Sequence, residues 1–219
     1  MVFNKEKWTA IQKLQKGRHV TSYIHKPLED LIVYLLYDTN VSADVISIIT
    51  YATATIVAWF FYMGFYLRAI ILAYFVGVLD GVDGKIARLR GKPTIIGKME
   101  HVFDTMYEYL WYITLIVSLS SSFGKDILLF GMTWIALDAL VKQTYNIFWL
   151  MTGKPLRVCG AAGRIITKID SRRSMYMIHI FVWLLLGNIV NSIYTIIAHQ
   201  VFTLVSYIIL SFKYKTMAN

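Results

Sequence analysis

The chain has 219 residues, 57% of them hydrophobic and only 16% charged, with a net charge of +9. A soluble domain carries about 25% charged residues, and apolar runs of this length leave too little soluble surface for a nucleic-acid-binding protein. A single cysteine, Cys159, excludes a disulfide framework and a cysteine zinc cluster. The reading that remains is an all-α polytopic membrane protein whose basic residues suit anionic lipid or phosphate-bearing substrates.

In chain order, residues 1–40 read as a cytoplasmic juxtamembrane segment. Within 3–18, Trp8, Ile11 and Leu14 recur at helical spacing among lysines. That pattern predicts an amphipathic helix on the membrane surface. Residues 41–213 read as one domain of six transmembrane helices, at about 42–63, 67–88, 99–121, 125–150, 173–190 and 192–212. Each approaches the roughly 20 apolar residues that cross a bilayer, the fifth being the shortest. Pro93 and Pro155 fall between spans. No signal-peptide core appears in the first 30 residues. The absence of an internal repeat weighs against an inverted-repeat transporter.

Lys and Arg concentrate in 1–40, 85–98, 152–174 and the C-terminal tail; only Arg68, Lys125 and Lys142 lie elsewhere. In a six-span chain these four regions share one side. The positive-inside rule makes both termini and both long loops cytoplasmic.

The second span ends with Asp80 and Asp83, three residues apart and on one helical face. Two carboxylates this close repel unless a cation lies between them. Gly81 and Gly84 weaken the helix beside them but allow close approach of a ligand. The third span opens with Glu100, Asp104 and Glu108 at four-residue intervals, again on one face. A loop of about ten residues makes the two spans neighbours. Asp80, Asp83, Glu100 and Asp104 then form a hard-oxygen site for Mg²⁺, Mn²⁺ or Ca²⁺, with one or two ions. The structural alternative is ordinary ion pairing to Lys85, Arg88 and Lys98.

These residues resemble the CDP-alcohol phosphatidyltransferase family, whose signature is D-x2-D-G-x2-A-R-x8-G-x3-D-x3-D. Asp80, Asp83, Gly84, Ala87, Arg88 and Gly97 match it without a gap. Ser42-Ala43-Asp44-Val45-Ile46-Ser47 is a weaker echo of the family's T-P-N-x-[VI]-T entry to the first span. The ungapped frame puts His101 and Thr105 where the family has its last two aspartates. A shift of one residue puts Glu100 and Asp104 there. His101 is the rival, as a metal ligand or base beside Asp104.

The resemblance implies transfer of a substituted phosphate from a CDP-linked donor, such as CDP-diacylglycerol or its ether equivalent, to an alcohol, with release of CMP. It implies a metal, Mg²⁺ or Mn²⁺, at Asp80, Asp83, Glu100 and Asp104, with Asp104 also the general base. It implies a nucleotide against Asp80, Gly81, Asp83, Gly84, Ala87, Arg88 and Gly97. A homodimer in the cell membrane is common in such proteins, and no nucleic-acid partner is expected.

Arg157, Arg164, Arg172 and Arg173 form an arginine-rich loop suited to an acceptor phosphate. Lys142 could reach it, although Asp138 one turn away more simply neutralises that lysine. His179 and His199 read as isolated packing residues, and Glu108 as a packing residue one turn beyond Asp104. Rival readings are a donor of the CDP-inositol or CDP-choline type, a transporter using the same acids, and a noncatalytic descendant.

Overall fold

The computed structural model describes residues 4–15, 19–91 and 95–215, apart from the side chains of Ile95, Lys98, Glu100 and Lys215. The described residues are helical and contain no strand. The helices are α1 (Lys5–Lys13), α2 (Val20–Leu36), α3 (Ala43–Tyr62), α4 (Tyr66–Arg90), α5 (Ile95–Phe123), α6 (Asp126–Thr152), α7 (Gly160–Ile169), α8 (Arg173–Leu185) and α9 (Asn191–Lys215). A helix thus stands at each of the six expected spans. Three of them, α3, α6 and α9, are long and apolar enough to cross a membrane. The 13 residues of α8 reach only about 20 Å, short of a full hydrocarbon thickness. α4 outruns its expected end to Arg90 and α5 starts earlier, at Ile95, so only 91–94 separate them.

Packing divides the chain into two compact units, Met1–Thr114 and Leu115–Asn219. In the first unit α4 packs against α3 and α2. Asn4 caps α1, accepting from the amides of Glu6 and Lys7. The expected N-terminal helix forms, and α1 packs part of its apolar side onto its own unit. Ile11 is fully buried in a cluster with Val33, Val78 and Ile86, and Trp8 packs edge-on against Tyr34.

An outward apolar face belongs to α2, a helix the sequence reading did not isolate. Val20, Tyr23, Ile24, Leu31 and Leu35 are all exposed, while Glu29 and Asp30 are buried. A helix with its charges inside and its apolar residues outside is the reverse of a soluble amphipathic helix. It fits lipid surroundings and not water.

In the second unit α9 packs against α6 and α8. Buried polar side chains join these helices. Tyr176 donates to Asp138 at 2.9 Å, Gln200 donates to the Tyr176 hydroxyl at 2.9 Å, and Lys142 pairs with Asp138 at 2.8 Å. A buried charge is tolerated when paired and hydrogen-bonded in this way.

Candidate active site

The site builds on α4 and on the two helices packed against it. Asp80 is half-buried and Asp83 is buried. Ser47 of α3 donates to Asp83 Oδ2 at 2.6 Å, so the last residue of the weak entry echo holds one signature carboxylate. On α5, Tyr51 of α3 packs against Phe103 and Tyr107. The Trp111 indole donates to the Ala54 carbonyl at 2.7 Å. These contacts fix the α5 face that carries Asp104, which is half-buried with one carboxylate oxygen shielded from solvent. Thr105 spends its hydroxyl on the His101 carbonyl at 2.7 Å, and His101 itself is exposed. The side chain of Glu100 lies outside the described residues. Among those described, no three His, Cys, Asp or Glu side chains stand close enough to hold an ion.

Lys85, one of the three cations of the ion-pairing alternative, is paired with α2. Its ammonium lies 2.7 Å from both Glu29 and Asp30 of α2, and all three side chains are almost completely buried. Lys26 adds a looser contact to Asp30 at 3.7 Å. Burial pushes the Glu29 carboxyl above its usual range, with Lys85 opposing and nearby Asp30 and Asp80 adding to the rise.

The glycines serve neighbours other than those expected. The space a side chain on Gly81 would fill is taken by the Glu29 carboxylate, and that on Gly77 by His25, 2.7 Å from a built Cβ. Gly81, expected beside a nucleotide, lets α2 approach on this side. At Gly84 the nearest group is the Arg88 guanidinium, 3.1 Å from a built Cβ. Arg88 therefore folds back along its own helix toward the signature.

The arginine-rich loop lies in the second unit. Arg172 forks onto Asp170 with two contacts of 2.5 Å, and the Tyr207 hydroxyl donates to the same carboxylate at 2.5 Å. Arg157 and Arg164 are exposed and have no acidic partner among the described residues. Lys142 is held by Asp138, as the simpler expectation had it.

His179 and His199, read as isolated, are in contact at 3.2 Å. His199 Nε2 lies 2.8 Å from the Ile169 carbonyl. The proton is then on that nitrogen, and Nδ1 accepts from His179. The pair joins α8 to α9 and lies on helices separate from the signature.

Glu29, Asp30 and Asp170 were missed from sequence. The available signal was an acid in otherwise apolar or basic surroundings: two adjacent carboxylates inside the Val20–Leu36 helix, and one acid beside two arginines.

The CDP-alcohol phosphatidyltransferase family model matches residues 40–210, so the chain belongs to that family. No curated protein matches the chain. Family membership makes it a membrane transferase of phospholipid biosynthesis that moves a phosphate-linked group from a CDP-alcohol to an acceptor alcohol.

Proposed function

We propose that the donor is a CDP-linked lipid, CDP-diacylglycerol or its ether equivalent, and that the acceptor is an alcohol bearing a phosphate. The observation that carries this reading is the division of charge on α4. Lys85 is committed to α2, while Asp83, oriented by Ser47, stays on one helical face with Asp80.

An all-carboxylate donor set matches the preference of a hard divalent cation. Asp80, Asp83, Glu100 and Asp104 would hold one or two Mg²⁺ or Mn²⁺ ions, which when bound would neutralise the donor diphosphate. Gly84, Ala87 and Gly97 leave backbone accessible to the nucleotide, and Arg88 binds a phosphate oxygen. The acceptor oxygen attacks the β-phosphorus and its proton passes to Asp104. The bridging P–O bond breaks, and CMP leaves with the bonding electrons. Arg157 and Arg172 take the acceptor phosphate, Asp170 orienting the Arg172 fork. Lys142, neutralised by Asp138, is left out of that set. The chain crosses the membrane six times with both termini cytoplasmic, and it works as a homodimer.

The test is purified protein with Mg²⁺ or Mn²⁺, the ester or ether donor and a panel of alcohols, read by CMP release. Turnover with a lipid donor and a phospho-alcohol, abolished by chelation, is expected. Silence across all pairs overturns the proposal. Glu100→Gln against His101→Ala decides the third-span frame: loss of metal-dependent turnover only in the histidine variant would remove Glu100 from the site.

A further inference from the structure

The short helix α7 has two unlike faces. On the inner one, a side chain on Gly163 would strike the Leu156 carbonyl, and Ile166 packs onto the cluster of Phe148, Leu156, Tyr207 and Leu210. α7 is therefore seated on its own unit. On the outer face Ile165 is 59% and Ile169 40% exposed. Arg164 and Lys168 lie beside them, exposed, with no acidic partner among the described residues. At about 100° per residue the two isoleucines share a stripe, with the two cations along one edge.

The position of α7 along the chain limits what can cover this face. α6, apolar enough to cross a membrane, ends at Thr152. α8 begins at Arg173, only four residues after α7 ends. A chain that short keeps the end of α7 within about 15 Å of the apolar helix α8. Apolar residues bordered by basic ones, with no acidic residue on the face, are complementary to anionic headgroups above an acyl boundary.

We infer that α7 lies in the membrane surface, with Ile165 and Ile169 at the acyl boundary and Arg164 and Lys168 on anionic phospholipid headgroups. This assigns Arg164 to the bilayer and removes it from the acceptor-binding set. The assignment does not depend on the donor, acceptor or metal of the transferase reaction.

The test uses the full chain carrying Cys159→Ser and a single nitroxide-labelled Ile165→Cys or Ile169→Cys. It is reconstituted into phosphatidylcholine vesicles with and without phosphatidylglycerol. Collisions with lipid-soluble oxygen are compared with collisions with a water-soluble nickel chelate. The expected result is an oxygen preference at both positions that rises severalfold with phosphatidylglycerol. Arg164→Gln with Lys168→Gln, or high salt, removes that rise, while circular dichroism in detergent is unchanged. Equal access by the nickel chelate in both lipids means that the face is in water and overturns the inference. An immobilised label reached by neither reagent means that protein covers the face and overturns it as well.

Discussion

The two units use cations differently. In the first, Lys85 is buried and satisfied by two acids from the chain itself, so its charge is spent on structure. In the second, Arg157 and Arg164 stay exposed without an acidic partner among the described residues, while Arg172 is tied to Asp170 and Lys142 to Asp138. The contrast separates charges that hold helices together from charges available to a ligand or a lipid surface. Position along the chain does not make that separation: Lys85 sits inside the signature, and Arg157 sits in a connecting loop.

The largest effect should come from the signature carboxylates. Asp104→Asn should lower kcat for CMP release by about 10²–10⁴-fold, the range for loss of a positioned base. Asp83→Asn should fall comparably, because it removes one of the proposed cation-holding carboxylates while its amide oxygen can still accept the Ser47 hydrogen bond. Circular dichroism and detergent-solution thermal unfolding should stay close to wild type in Asp104→Asn. A variant that kept its turnover would place the base elsewhere.

The next effect breaks the comparison from the structural side. Lys85→Met leaves Glu29 and Asp30 buried together without their cation, which should cost about 3–5 kcal/mol of stability. Adding Glu29→Gln and Asp30→Asn to Lys85→Met should recover much of that loss, since no uncompensated charge is then buried. Denaturant unfolding of the reconstituted protein reads both. A triple variant no more stable than Lys85→Met would show that the ion cluster is more than a neutralised contact.

How much of this was legible in sequence follows from the distance between partners. The signature helices were readable because fixed spacing on one helix puts Asp80 beside Asp83, and long apolar runs mark the helices that carry them. Lys85 was not, because its acids lie on α2, 55 residues earlier in the case of Asp30. α2 itself was hidden by its reversed polarity and by Pro27 within it. A pattern search places apolar residues inside, and here they are outside. The His179–His199 contact was hidden in the same way, by a separation of 20 residues and a helix boundary.

On the ligand side, Arg157→Gln and Arg172→Gln should raise the acceptor KM far more than the donor KM. Loss of one charged hydrogen bond, about 1.5–3 kcal/mol, corresponds to a rise on the order of tenfold or more. Arg157→Gln should leave thermal stability unchanged, because no acid depends on it. Arg172→Gln should lower stability modestly, because Asp170 loses its fork. Equal changes in the two KM values would remove both arginines from the acceptor site.

The smallest effect is a difference between two glycines that the signature region places three residues apart. A methyl group on Gly81 meets the Glu29 carboxylate, which cannot swing away without breaking its buried bond to Lys85. Gly81→Ala should therefore destabilise the first unit by about 1–3 kcal/mol, the usual cost of overpacking. A methyl on Gly84 meets only the end of the Arg88 side chain, at 3.1 Å, and a long flexible side chain can give way. Gly84→Ala should cost little stability while altering the donor KM, because the group it displaces is the one assigned to the donor phosphate. The two glycines thus repeat, within a single helix, the division seen between the units: one makes room for structure and the other for substrate. If both substitutions changed stability equally and left the donor KM alone, Arg88 would belong with Lys85 on the structural side.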